Sequence, residues 1–322
     1  MKKKVLILNR FAPEALAQGN RSDELEFIWS DGESFPLTFR EQVVAVIVRS
    51  GSKGNKNFLK QYPKLEFVCT STSGFDHLDL DLLVEKNILA VHVPEPPVQS
   101  VAELTFFLIL GAFRRHTKAH RQMLKGQWSR SALTGSVLAG KTLGLIGCGR
   151  IGQRVAAMAA AWGVRVVGYD PYLDSWPQGL ESMGYEELLN ASDILSFHVP
   201  LTRETRFMLN RSTLEKVPTH VLIVNTSRGM VIQQEDLAHF LKTYPEASAA
   251  LDVFIKEPLS ANSPLLELSN VFLTPHVGAS TDQCLYDSSR KSVEEVCHYF
   301  EKKESSAFTL PPRSPWWVKN NK

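Results

Sequence analysis

The sequence predicts an α/β fold built from two doubly wound parallel-sheet domains, and three observations carry that prediction. Short apolar runs rich in β-branched residues alternate with polar stretches through the first part of the chain. A proline-dense break, VPEPPVQS, follows near residue 94. Behind it a second alternation begins, opened by a run that leads into a glycine-rich turn. Strands separated by helical segments need crossover connections, and those connections cover the faces of a parallel sheet with helices.

The elements can be justified in order. KVLILN, VVAVIV, LEFVCT and ILAVHV each have strand length, and intervening segments such as DLDLLVEKN fit short helices. Proline excludes helix in VPEPPVQS, so that stretch is expected to be a stiff connection between domains. A long helix is expected from roughly Val101 to Lys125, apolar in its first half and basic in its second. TLGLIG, VRVVGYD, DILSFHV, VLIVN, ASAALDV and NVFLTP then supply the strands of a complete dinucleotide-binding sheet. From about Leu285 to Lys303 the residues Val293, Val296 and Phe300 fall at helical spacing, and this helix is expected to return to the first domain. The expected organisation is therefore a Rossmann domain, residues 99–285, inserted in a discontinuous flavodoxin-like domain, residues 1–98 and 286–322. The tail SSAFTLPPRSPWWVKNNK is expected to pack on the first domain with a frayed end, a partner-binding segment being the alternative.

Bulk properties exclude several function classes. The 322 residues suit two domains, and 36 basic against 34 acidic residues give no general pull toward nucleic acid or membrane. Cys69, Cys148, Cys284 and Cys297 lack any metal-ligand spacing and read as reduced thiols, with no metal expected. The apolar run after the first lysines ends at Leu8, too short for a signal peptide, and reads as a buried first strand. LTFFLILGAF falls short of the ~18 apolar residues of a membrane span and runs straight into Arg114 and Arg115. A soluble, cytoplasmic protein with a small-molecule ligand is the expectation.

The glycine-rich turn, GLIGCGRIG, indicates that ligand. Gly147, Gly149 and Gly152 stand in G-x-G-x-x-G spacing around Arg150 and Ile151. The first glycine allows a tight turn, the second lets the backbone approach a pyrophosphate, and the third lets helix pack on strand. The helix start offers free N–H groups and partial positive charge to the phosphates. The next strand ends in Asp170, where a carboxylate would grip the adenosine ribose hydroxyls. It would also repel a 2′-phosphate, and Pro171 and Tyr172 supply no compensating cation, so NAD is expected over NADP.

Three further stretches fall at strand ends, where open α/β sheets place ligands. They are VNTSRGMV with Arg228, ALDVFIKEPL with Asp252 and Glu257, and TPHVGAST with His276. Together with RSGSK at Arg49, SVAEL at Ser100, GKTLGLIGCGRIG at Gly140 and FHVPLTRET at Phe197, they make nearly the whole chain resemble the D-isomer-specific 2-hydroxyacid dehydrogenases. Hydride transfer to a ketone needs a proton donor at the carbonyl oxygen, and His276 is the histidine in such a motif. The resemblance implies that Glu257 orients and charges His276 and that Arg228 binds the keto-acid carboxylate bidentately. It gives Asp252 the nicotinamide carboxamide and adds His198, Val199, Pro200, Thr205, Thr226, Ser227 and Gly278 to the cofactor's surroundings. It also implies that backbone N–H groups of the first domain hold the substrate carboxylate, from Arg49, Ser50 and Gly51 and from Ser73 and Gly74. The first domain would then close on the second.

Two positions depart from the family pattern: Thr72, where glycine is common, and Pro97, where asparagine is. Arg49 and Lys53 resemble the 3-phosphoglycerate dehydrogenases, although Lys53 also reads as a solvated loop residue. The resemblance thus implies 3-phosphoglycerate and phosphohydroxypyruvate as leading substrates, ahead of glyoxylate and hydroxypyruvate, and a homodimer through the cofactor domain. Within the family an NAD-sensing corepressor, a binding protein, is the rival reading. Formate dehydrogenases lack the glutamate partner, and Glu257 argues against that reading.

Overall fold

The computed structural model describes residues 2–19, 22–30, 37–52 and 54–312; Lys53 and the tryptophan-bearing end of the tail lie outside the described residues. The chain divides into one unit of Met1–Pro97 with Ala279–Lys322 and a second of Val98–Gly278. The return to the first unit comes ahead of the last helix, because Thr281 caps that helix and all of it belongs to the first unit.

The first unit opens with β1 (Lys3–Leu8), α1 (Pro13–Gly19), β2 (Leu25–Ser30), β3 (Val43–Val48), α2 (Lys56–Leu59), β4 (Phe67–Thr70), α3 (Leu80–Glu85) and β5 (Leu89–His92). These five strands run in the order β2-β1-β3-β4-β5 with every pairing among them parallel, the flavodoxin-like order. All six residues of β3 are buried, as a central strand covered on both faces requires. Alternate side chains divide between two cores: Val5, Ile7, Ala45 and Ile47 on one face, Leu6, Val46, Val48 and Val68 on the other. β2 was not among the expected strands. It is an edge strand with buried and exposed residues interleaved, so its apolar run is broken.

The second unit contains α4 (Pro97–Phe113, begun at the boundary), α5 (His116–Leu124), β6 (Thr142–Ile146), α6 (Arg150–Ala160), β7 (Arg165–Tyr169), β8 (Glu181–Ser182) and α7 (Tyr185–Ala191). It continues with β9 (Ile194–Phe197), α8 (Arg211–Leu214), β10 (Leu222–Asn225), α9 (Gln234–Thr243), β11 (Ser248–Leu251) and β12 (Val271–Leu273). The order β8-β7-β6-β9-β10-β11-β12 is parallel throughout and reverses between β6 and β9, the dinucleotide-binding arrangement. Two expectations are corrected here. Pro97 does not bar helix; it opens α4 at a first-turn position, where its missing N–H has no partner to lose. The long helix is two helices, broken at Arg115, whose φ is 50°. The apolar pattern stops at Phe113, and α5 beyond it buries no residue.

The chain then returns through α10 (Asp282–Lys302) and β13 (Thr309–Leu310), which pairs antiparallel with β5. Val293, Val296 and Phe300 of α10 complete one core of the first unit. Among the described residues no helix is long and apolar enough to cross a membrane, and no cluster of three or more His, Cys, Asp or Glu is arranged to hold a metal.

Candidate active site

The strands of the second unit deliver the expected residues from their C-terminal ends. β6 runs into Gly147, whose φ of +92° is open to glycine. A Cβ there would lie 2.6 Å from the His198 carbonyl oxygen, so strand ends β6 and β9 meet at bare backbone. Gly152 packs α6 on the same turn, its missing Cβ 2.3 Å from the Gly147 oxygen. Gly149 caps α6, and a Cβ added to it would meet nothing within 4 Å. A pyrophosphate needs such a cradle at a helix N-terminus. Arg150 is exposed and Ile151 is half-buried against the core.

Asp170, at the end of β7, is tied to this turn. Its Oδ2 accepts from the Cys148 N–H at 2.9 Å and its Oδ1 from the Tyr172 N–H at 3.0 Å. The residues present fit NAD. Asp170→Ala should therefore weaken NAD binding and relax discrimination against NADP, read by titrating both cofactors. Unchanged preference would put the discriminating group elsewhere.

After β9, burial pushes the His198 pKa down to about 4, so its ring is neutral near pH 7. Its Nε2 lies 2.9 Å from the Ser196 hydroxyl. Val199 is half-buried and Pro200 exposed. Thr205 staples the following loop, donating to the Pro200 oxygen at 2.6 Å and accepting from the Thr202 N–H at 2.8 Å.

β10 ends in Asn225, which is buried and organises the arginine loop. Its Oδ1 accepts from the N–H and hydroxyl of Ser227, at 3.0 and 2.8 Å, while its Nδ2 donates to the Arg228 oxygen at 2.9 Å. Thr226 meets the buried Thr105 of α4, hydroxyl to hydroxyl at 2.9 Å. Arg228 itself donates from Nη1 to the Ser227 oxygen at 2.8 Å. Gly229 follows, and a Cβ there would stand 1.9 Å from the Phe254 carbonyl carbon. The arginine loop and the loop carrying Glu257 are thus in backbone contact.

Asp252, at the end of β11, is only 1 % exposed. Its Oδ1 accepts from the Thr274 hydroxyl at 2.5 Å and the Val277 N–H at 2.9 Å, and its Oδ2 from the Gly278 N–H at 2.8 Å. Its backbone oxygen also accepts from the His276 N–H at 2.8 Å. Asp252 therefore shapes the turn in which His276 takes a φ of 53°. Sequence reasoning gave it a cofactor contact and missed this task, along with Asn225 and Thr274.

His276 donates from Nδ1 to Glu257 Oε2 at 2.7 Å, and the other carboxylate oxygen accepts from the Phe254 N–H at 3.1 Å. Among the described residues nothing hydrogen-bonds the His276 Nε2. The hydrogen bond to Glu257 and its charge raise the His276 pKa above its ordinary 6.5, against the opposing effects of burial and Arg228. Burial resists the Glu257 charge, but the hydrogen bonds from His276 and Phe254 and the nearby cations outweigh it and hold its pKa below 4.5. The raised histidine adds stability below pH 6.5 that is lost as pH rises through its folded pKa. The lowered glutamate adds stability above pH 4.5 that is lost as pH falls through its own. Glu257→Gln should accordingly lower the melting temperature most between pH 4.5 and 6.5 and least outside that window. A pH-independent difference would sever the two titrations. Both side chains are exposed, so the effect should be small.

In the first unit, Asn9 takes a φ of 71° and holds the loop after β3 through its Oδ1, which accepts from the Arg49 N–H at 3.3 Å and the Ser52 hydroxyl at 2.9 Å. The N–H groups of Ser50 and Gly51, like those of Ser73 and Gly74 after β4, donate to no described residue. The Arg49 Nη1 is buried and has no hydrogen-bond partner among the described residues. Burial and, more weakly, Arg10 lower its guanidinium pKa, with Cys284 opposing them.

A dinucleotide-binding sheet whose ends carry a carboxylate-paired histidine and an arginine places the chain in a class of dinucleotide-binding α/β proteins. Residues 106–278 match the family described as D-isomer specific 2-hydroxyacid dehydrogenase, NAD binding domain. The D-3-phosphoglycerate dehydrogenase of Mycobacterium leprae is 36% identical over 282 residues, 86% of this chain and 53% of that protein. The hydroxypyruvate reductase of Thermotoga maritima is 34% identical over 293 residues, covering 90% of this chain and 92% of that one. A D-lactate dehydrogenase from Aquifex aeolicus, solved with NAD and lactic acid, superposes with a TM-score of 0.80 at 30% identity, over 93% of this chain and 96% of that one. The chain belongs to the D-isomer specific 2-hydroxyacid dehydrogenase family, and its second unit contains that family's NAD-binding domain. It spans about half the length of the phosphoglycerate dehydrogenases it matches.

Proposed function

We propose that the protein interconverts a D-2-hydroxy acid and its 2-keto acid with NAD, with 3-phosphoglycerate and phosphohydroxypyruvate as the leading pair. The observation that carries this reading is the His276–Glu257 pair at 2.7 Å, with Nε2 unengaged and Arg228 close enough to influence both titrations. NAD, when bound, supplies or accepts the hydride. His276 then gives a proton from Nε2 to the carbonyl oxygen during reduction and takes it back from the hydroxyl during oxidation. Glu257 keeps the ring charged and oriented through both. Arg228 holds the substrate carboxylate and polarises the carbonyl, and Asp252 acts through the turn it builds around His276.

The phosphorylated substrate is supported by Arg49, whose buried Nη1 has no hydrogen-bond partner among the described residues, and by names among the relatives; glyoxylate and hydroxypyruvate are the alternatives. A homodimer through the second unit is part of the same proposal, supported by Phe107, Leu124 and Trp128, which stand 52%, 75% and 77% exposed on α4, on α5 and just beyond it. So is a cytoplasmic setting, which suits free thiols such as Cys69, its pKa pushed up to about 12 by burial.

The test is NADH oxidation by the purified protein against phosphohydroxypyruvate, hydroxypyruvate, glyoxylate, pyruvate and 2-ketoglutarate. Preference for the phosphorylated keto acid is expected. Binding of NADH with reduction of none of them would overturn catalysis and favour an NAD-sensing role.

A further inference from the structure

The loop after β4 is fixed one peptide at a time. The Thr72 oxygen accepts from the Val93 N–H at 3.1 Å, the Ser73 oxygen from His92 Nδ1 at 2.8 Å, and the Gly74 oxygen from the Thr72 hydroxyl at 2.7 Å. A trans peptide points its C=O and the following N–H in opposite directions. Tying the Thr72 and Ser73 carbonyls to the end of β5 therefore turns the Ser73 and Gly74 N–H groups away from it.

The Val93 tie is backbone and survives any ordinary substitution there. On the peptide joining Ser73 to Gly74, the tie is the His92 side chain. A carbonyl oxygen only accepts, so the proton of that bond is on Nδ1. The ring meets Phe75 edge-on, centroids 5.3 Å apart at 89°, and Phe308 at 6.4 Å and 77°. The His92 N–H donates to the Phe308 oxygen at 3.1 Å, just ahead of β13. Glycine at 74 brings no Cβ to resist rotation of this peptide. A flip would replace an outward N–H by an outward C=O, a donor by an acceptor, and an anion there would be repelled.

We infer that His92 is a positioning residue for the substrate carboxylate: by holding the Ser73 carbonyl inward, it presents the Gly74 N–H beside that of Ser73 to the anion. This rests on the reading that these two N–H groups bind the carboxylate. Asparagine can replace His92, since its Nδ2 is as many bonds from Cβ as the histidine Nδ1. Phenylalanine keeps the ring and loses the donor.

The experiment follows the Ser73 and Gly74 amide resonances of the 15N-labelled full chain during titration with oxalate, a non-reducible dicarboxylate. Keto-acid KM, kcat and NADH affinity are measured alongside. Both amides should shift in the unmodified protein. His92→Phe should weaken oxalate and raise KM about tenfold, the loss of one charge-assisted hydrogen bond, with NADH affinity unchanged. His92→Asn should restore both. If His92→Phe does not fold, His92→Asp takes its place, having the shape of asparagine without its donor. Oxalate binding without movement of these amides in the unmodified protein would remove the carboxylate reading of the loop itself. Amides that shift, with equal oxalate affinity in the donor-less variant, would overturn the role of His92 alone, as would an asparagine variant no better than phenylalanine.

Discussion

Replacing His276 by alanine should lower turnover by about 10²- to 10⁴-fold, the usual contribution of a positioned acid–base group, and leave NADH affinity nearly unchanged. The two properties separate because they reside in different parts of one sheet. His276 follows β12, whereas Gly149 and Asp170 follow β6 and β7. Single-turnover reduction of a keto acid, paired with fluorescence titration of NADH, reads both. Alanine also removes the Nδ1 bond to Glu257, leaving that carboxylate the hydrogen bond from the Phe254 N–H. His276→Gln is therefore the better control for packing. Turnover within a few-fold of the unmodified protein would take His276 out of the mechanism.

Gly229→Ala should be nearly as damaging without touching a reacting group. The new Cβ would stand 1.9 Å from the Phe254 carbonyl carbon and 2.0 Å from its oxygen. Backbone cannot swing aside as a flexible side chain can, so the two loops must part. One carries Arg228, anchored by Asn225, and the other presents the Phe254 N–H to Glu257. Misplacement by about 1 Å commonly costs about 10²-fold in rate, and overpacking of this kind about 1–3 kcal/mol of stability. Melting temperature, kcat/KM and NADH affinity should fall in the first two and hold in the third. A variant with ordinary kcat would mean that the loops can separate without moving Arg228 against Glu257.

Most of the architecture was legible because buried parallel strands leave continuous apolar runs. VVAVIV is the clearest case, and all six residues of β3 are buried. LEFIWS escaped because β2 lies at an edge and exposes part of itself. The two-residue strands β8 and β13 are defined by their pairing and leave no pattern to read. The rule that proline excludes helix misled at Pro97, since it does not apply to a first turn. At the site, Arg228, Glu257 and His276 stood out as candidates because their side chains carry chemistry and their motifs carry the family. What Asn225 and Asp252 do did not, because it depends on loop paths that bring a carboxamide or carboxylate under particular N–H groups. Thr72 was noted only as a departure; its hydroxyl proves to close the loop on the Gly74 oxygen.

The late return of the chain through α10 bears on how a ribosome delivers this protein. β1 to β5 emerge first, yet Val5, Ile7, Ala45, Ile47 and Phe67 find their cover in Val293, Val296 and Phe300, near the other end of the chain. The inserted unit has all its strands once Leu273 has emerged. Domains fold as units during synthesis, so the inserted unit, begun second, is finished first, and the first unit waits for α10. Until then the nascent N-terminal sheet has only Phe11, Ala15 and Leu16 to cover that apolar face.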